Sequence, residues 1–441
     1  MQSQGESAGA AQRPGTPSLL RELNDRAALQ LLLDGRTLTR SQLSELTGVS
    51  KVTVAQMLAR LTERGLVAEA GAQAGGRGPN ATLYAAVPSS AYVAAMYTDL
   101  GQVSTAVADV TGKVIAEVRE TVHSGPSGAG SAVSIALVRS AVDQACARAG
   151  ISVDQLSAFV IGSPGVVDPR TGDPTWAFNL PEWHEGVLAG LRGELRRPVV
   201  IENDVNLAAM AERAVGAAAG ADDFVLLWIG IGMGLATVLG GRLHRGVSGA
   251  AGEIGWLPVP GAPVTRDVRH PASGGLQWLA GAQAVRELAE RYGFGAPDGT
   301  IPDGAAPDST AAGYVRAAVA ALPERGILEE DVPEEGLADD APAGDLLPPA
   351  GAFLDELAHR IALGAAAVCA VLDPGLVVLG GEIGLAGGPV LASRVSAHVA
   401  ALCPIRPAVV ATQVTSDPVL RGALLTAVDQ ARADLLASVS V

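Results

Sequence analysis

The chain has 441 residues, 48% of them hydrophobic and 17% charged, with a formal net charge of -15. That length exceeds one ordinary core and predicts two or three domains, while the acidic balance excludes indiscriminate nucleic-acid binding by the whole molecule. Residues 1–90 depart from the balance with nine Arg/Lys against seven Asp/Glu, so any DNA contact is expected there.

No run of about 18 apolar residues free of charges and turn breakers occurs, and the first 30 residues lack a signal-peptide core, which predicts a cytoplasmic protein without membrane contact. Cys146, Cys369 and Cys403 lie far apart in sequence and read as reduced thiols, not as a disulfide or zinc framework.

Residues 1–17 have no periodicity and read as a disordered tail. From Ser18, Leu19, Leu20, Leu23, Ala27, Leu31 and Leu32 fall near one helical face, until Asp34-Gly35 ends the pattern. A second helix runs from Thr39 through Leu46. After the turn Thr47-Gly48-Val49-Ser50 a third spans Lys51 to Arg64, with Val54, Met57, Leu58 and Leu61 in one stripe. Helix, short glycine turn, helix is the helix-turn-helix unit, whose second helix enters a major groove. Ser50, Lys51, Thr53, Gln56 and Arg60 are the candidate contacts on that helix, because hydroxyl, amide and cationic groups can all donate to bases or phosphates. Two strands flanking Gly75-Gly76-Arg77-Gly78 complete a wing, and Arg77 at its tip is a minor-groove candidate. The domain is expected to occupy 18–88.

Residues 89–441 are expected to form the body. Tyr92 to Thr121 reads as three strands, with Asp99-Leu100-Gly101 at the first corner and Val103 where a phosphate-binding loop of this type would carry a hydroxyl. A helix from about Ser131 to Gly150 precedes the buried strand at Ala158 to Ile161 and the loop Gly162-Ser163-Pro164-Gly165. Trp176 to Trp183 is an aromatic and amide cluster of the kind that packs on a sugar ring. The next segment carries the most information: Val199-Val200-Ile201 runs into Glu202-Asn203-Asp204, and an alanine-rich helix leaves it. Open α/β sheets place ligands at such strand ends, and an amide beside a carboxylate there can hold a sugar hydroxyl or accept its proton. The same residues also suit a plain helix cap.

Phe224 to Ile229 enters a glycine turn, Gly230-Ile231-Gly232-Met233-Gly234, and pairs with Ala236 to Leu239. Gly252-Glu253-Ile254-Gly255 offers a carboxylate framed by glycines. Residues 295–350 are rich in Pro, Ala, Gly, Asp and Glu and read as a flexible surface region. A helix from Ala352 to Leu372, a strand at Leu376 to Leu379, the turn Gly380-Gly381 and a helix from about Leu420 to Leu436 close the chain.

Thr47-Gly48-Val49-Ser50 with Thr53-Val54, Gly75-Gly76-Arg77, Gly162 to Gly165, Asn179-Leu180, Glu202-Asn203-Asp204 and Gly252 to Gly255 together resemble the ROK family of repressors and sugar kinases. The resemblance implies an actin-like, ribonuclease-H-like α/β body of two lobes with an N-terminal winged helix-turn-helix. It also implies a sugar site in which Asn203 and Asp204 bind hydroxyls, Asp204 is the base in the kinases, and Asn179 and Glu253 line the same pocket. Two departures stand out. Trp256 replaces a His that binds sugar and a structural zinc, and Val268 to Gln277 replaces a cysteine-rich segment, so no thiolate-rich zinc site forms, His270 reads as a surface or packing residue, and no cofactor is expected. Gln277 falls where the family has a further sugar-binding Glu. The expected partners are a double-stranded DNA operator, a sugar effector and further copies of the chain in a homodimer or homotetramer. Binding is expected, without enzymatic turnover.

Overall fold

The computed structural model describes residues 17–73, 80–99, 102–121, 134–176, 186–267, 273–294, 307–322 and 349–439. The head begins with α1 (Pro17–Leu33), β1 (Leu38–Thr39), α2 (Arg40–Thr47) and α3 (Lys51–Glu63), and ends in the antiparallel pair β2 (Val67–Gln73) and β3 (Ala81–Ala86). Leu29, Leu32, Leu43, Met57 and Leu61 are fully buried between its three helices, as the apolar stripes require.

Lobe I follows. Its strands are β4 (Tyr92–Asp99), β5 (Gln102–Asp109), β6 (Val114–Thr121), β7 (Leu156–Ser163) and, after the small hairpin β8 (Val166–Val167) and β9 (Pro174–Trp176), β10 (Val199–Asn203). Two helices, α4 (Ile135–Arg148) and α5 (Val187–Leu195), cover it, and α6 (Asp204–Val215) leaves β10 directly. Strands β4, β5 and β6 form an antiparallel meander, β7 lies parallel to β4, and β10 parallel to β7.

Lobe II repeats that plan. Strands β11 (Phe224–Ile229), β12 (Met233–Leu239) and β13 (Arg242–Leu243) form the meander. Helices α7 (Gly275–Ala280), α8 (Ala282–Arg291), α9 (Pro307–Ala320) and α10 (Pro349–Leu372) lead to β14 (Leu376–Gly380), which lies parallel to β11. Helix α11 (Gly381–Leu402) returns to β15 (Ala408–Ala411), parallel to β14, and α12 (Pro418–Ser438) closes the chain. The sheet orders β10-β7-β4-β5-β6 and β13-β12-β11-β14-β15 are the same topology used twice.

Helix α9 corrects the expectation of one flexible region over 295–350: Ala311, Val315 and Ala318 are fully buried in the core of lobe II, held there by their helical spacing within an acidic, proline-rich surround.

Helices α6 and α12 form the layer between the two sheets. They cross so closely that a Cβ at Gly422 would lie 1.8 Å from the carbonyl oxygen of Leu207, so only glycine fits. Glu212 of α6, 1% exposed, binds this layer to lobe II. Its carboxylate accepts from the backbone N–H groups of Ala217 (2.6 Å) and Val414 (3.0 Å) and from the Thr412 hydroxyl. Gly422→Ala is expected to cost about 2–3 kcal/mol, read as a lower urea midpoint, because the added methyl meets backbone that cannot move aside.

Candidate functional site

Two surfaces gather the residues singled out in the sequence. On the head, Thr39 and Gln42 form a reciprocal cap that starts α2, with Thr39 N donating to Gln42 Oε1 at 2.8 Å. Gly48, at φ 72°, stops that helix in the left-handed conformation a tight turn needs. Ser50 then caps α3, accepting from Thr53 N at 3.2 Å, and the Ser50 and Thr53 hydroxyls are 2.9 Å apart. Lys51, Val52 and Gln56 point outward, and Val52 is 69% exposed. An isolated methyl-bearing side chain among polar ones suits the methyl group of thymine.

Arg60 is placed differently from the sequence expectation. Its guanidinium is bidentate on Asp25 of α1, with Nε at 2.8 Å and Nη2 at 2.6 Å, so it staples α3 to α1 while its side chain stays 37% exposed. The Asp25 carboxylate beside it raises the Arg60 pKa. The partner lies 35 positions away in sequence, which no local pattern reveals. Arg77 falls outside the described residues.

In the body, β10 delivers the Glu202-Asn203-Asp204 corner to the start of α6. Asn203 caps that helix, its Oδ1 accepting from Asn206 N at 3.0 Å, while its Nδ2 donates to Gly165 O at 2.9 Å and to Asp204 Oδ1 at 3.1 Å. The candidate site residue is therefore also the helix cap, and its amide ties the Gly162 to Gly165 loop to the corner. Asp204 Oδ1 accepts from Val205 N at 2.8 Å. Glu202, 7% exposed, takes Arg245 at 2.6 Å and Asn206 Nδ2 at 2.9 Å, which draws the loop after β13 onto lobe I.

Glu253 lies on a lobe II loop held against β12. Gly252, at φ +103°, passes so close to β12 that a Cβ would lie 1.8 Å from Leu235 O, and its own carbonyl accepts from Leu235 N at 2.8 Å. The preceding residue, Gly234, leaves room for Val205 of α6. Burial pushes the Glu253 carboxyl up from 4.5 to about 7.

Gln277 also departs from expectation. Its Oε1 accepts from Met233 N at 2.8 Å and its Nε2 donates to Ile231 O at 2.7 Å, so both ends of the amide are spent on the glycine turn. It positions backbone with one donor and one acceptor, which leaves one N–H and one lone pair of the amide. Within the same turn Gly230 N donates to Gly232 O at 3.1 Å, and a Cβ at Gly230 would lie 2.6 Å from the Glu382 carboxylate. A cavity of about 260 Å³ opens there between the lobes, walled by Tyr97, Trp228, Glu382, Thr412 and Asp417. Among the described residues no group of three or more His, Cys, Asp or Glu side chains is gathered to hold a metal ion, and no helix is long and apolar enough to cross a membrane. Asn179 and His270 lie outside those residues.

The ROK family model matches residues 102–430. The chain belongs to the ROK family. A ROK transcriptional regulator described as a homolog of the E. coli MLC protein has a crystal structure that aligns with 96% of this chain and 99% of its own, at a TM-score of 0.64 and 19% identity, which establishes the shared fold including the head. The xylose repressor of Caldicellulosiruptor bescii is 25% identical over 244 residues, 55% of this ROK chain and 60% of the repressor, so the match spans less than two thirds of that relative. A glucokinase of Halalkalibacterium halodurans is 32% identical over 164 residues, 36% of this chain and 48% of the enzyme.

Two outcomes follow from these placements. Arg60→Ala leaves the Asp25 carboxylate buried without its partner and is expected to destabilise the head by about 2–3 kcal/mol in thermal melts. Glu253 holds a proton in the folded chain, between pH 4.5 and about 7, that the unfolded chain has released, so its contribution to stability falls as pH rises through that window. Glu253→Gln is therefore expected to leave the melting temperature unchanged at pH 4.5 and to raise it at pH 8, by an amount worth about 1–2 kcal/mol after allowance for solvent screening of a half-buried group.

Proposed function

We propose that the chain is a sequence-specific DNA-binding transcriptional regulator, a repressor, whose body binds a sugar or sugar derivative. The observation that carries this reading is a winged helix whose Lys51, Val52 and Gln56 face solvent, built in front of a two-lobed body in which a capped Asn203-Asp204 corner starts the helix whose Val205 packs at Gly234, beside the Leu235 that binds the Gly252-Glu253 loop. Side chains with amide, ammonium and methyl chemistry at the start of α3 are what a major groove can be read with. The Asn203 amide, the Asp204 carboxylate and the Glu253 carboxyl are acceptors and donors of the kind that hold vicinal hydroxyls, with Asn179 a further candidate. Relatives named xylose repressor support the class of effector. Two-fold pairing of such heads on a palindromic operator implies a homodimer or homotetramer as the acting form.

The competing reading is a sugar kinase carrying a DNA-binding head, and the glucokinase relative and Asp204 favour it. Three observations weigh against turnover. Gly230 N and Met233 N already donate within the protein, so the glycine turn has two fewer amides to offer a phosphate. The Glu382 carboxylate stands over Gly230, where it repels an anion. Val103, 1% exposed, is buried in lobe I in place of a loop hydroxyl.

The test is a selection of duplexes from a random pool, followed by anisotropy titration. Gln56→Ala is expected to weaken the selected duplex about 5–100-fold and relax one base position. Failure of the chain to enrich any sequence sinks the regulator reading. Sugar-dependent ADP release that vanishes in Asp204→Ala would instead establish the kinase. Calorimetry against a sugar panel that finds no ligand for the chain would leave a regulator without an effector.

A further inference from the structure

Helix α12 begins at the cleft and ends on the DNA-binding head. Asp417 and Pro418, at its start, line the cavity between the lobes. At its other end the Arg64 guanidinium, just past α3, donates from Nη2 to the Ser438 carbonyl at 2.8 Å and to the Ser438 hydroxyl at 3.3 Å. Between these points the helix is fixed to lobe I along its length. Val419 packs where a Cβ on Gly162 of β7 would go, and Ala423, Ala427 and Ala431 are fully buried or nearly so. Arg432 donates to the carbonyls of Val110 (2.9 Å) and Thr111 (3.1 Å) beyond β5. The apolar core of the head continues without a break into the core around α12, and Val87 N donates to Leu66 O at 2.9 Å where head passes into body.

We propose that the last turn of α12 is a splice that makes the winged helix one rigid body with lobe I, so that the moving joint for regulation lies between the lobes and not between head and body. The inference rests on the reading that the body binds an effector. A helix of 21 residues spans about 31 Å, so a rotation of about 10° at the cleft carries the far end about 5 Å. That displacement reaches α3 through the shared apolar core and the Arg64–Ser438 clamp at the helix end. A head hung on a slack linker would absorb it.

The experiment has two arms on the full chain. The first needs no ligand. Hydrogen exchange is compared between head peptides over 26–33 and 54–62 and lobe I strands over 93–97 and 104–108. The parent is expected to protect both sets within about threefold of each other, and Arg64→Ala to speed the head peptides about tenfold or more while the lobe I strands stay as they were. A parent head that already exchanges about a hundredfold faster than lobe I overturns the splice.

The second arm uses the duplex selected by the parent, with D-xylose and D-glucose as probes. A sugar that weakens parent binding about tenfold is expected to change Arg64→Ala binding less than about twofold, Arg64→Lys is expected to restore the response, and sugar affinity without DNA should be equal in all three. An Arg64→Ala variant with the parent's full response overturns the proposal. So does a ligand-free loss of affinity with a salt slope shallower by about one, which would make Arg64 a phosphate contact instead. If neither sugar acts on the parent, these two are not its effectors, and the exchange arm still decides the splice.

Discussion

A carboxylate buried in the middle of the molecule governs how the two lobes meet. Glu212 is 1% exposed, and burying its charge is tolerated only because several donors converge on it. Those donors come from the turn that ends α6 and from Thr412 to Val414, the segment joining β15 of lobe II to α12. One side chain therefore holds the end of the helix that starts at the Asn203–Asp204 corner and the approach to the helix that reaches the head. The glycine contact at Gly422 completes the arrangement, since two helices this close leave no freedom in their crossing.

Much of this was legible in the sequence. Apolar stripes fixed the helices of the head, β-branched runs fixed the strands, and the left-handed glycines marked where they stop. The three-strand meander of lobe I and the first two strands of lobe II were readable as well, although β13 and the repeated topology were not, because β13 has two residues and the two lobes share strand order without sharing side chains. Helix α9 was hidden because composition averaged over 295–350 is dominated by its flanks, while the signal is a spacing of three and four in a short alanine-rich piece.

The site residues divide along a different line. Residue types were readable, but their partners were not. Arg60 and Gln277 have the chemistry of contacts, yet each is bonded to a group distant in sequence, Asp25 in one case and the backbone of the glycine turn in the other. Asn203 differs, since it caps α6 and its amide still lies at the end of β10, so capping and site formation are not rivals. A capped asparagine has its rotamer fixed before any ligand arrives, and a group held in place loses less freedom on binding. Local pattern thus names the groups capable of chemistry, and long-range hydrogen bonding decides which of them remain available.

Glu253 connects recognition to the solution around it. With its carboxyl pushed up to about 7 by burial, the group is close to half ionised at neutral pH. A hydroxyl donating to it favours the carboxylate, so in the effector reading binding expels a proton below that pH and affinity falls by up to about tenfold for each unit of acidification. A ligand that accepts from the protonated acid would show the opposite slope. The direction of pH dependence therefore reports which partner of this hydrogen bond donates, and it separates a hydroxyl-donating sugar from an acceptor ligand without any need to know the compound.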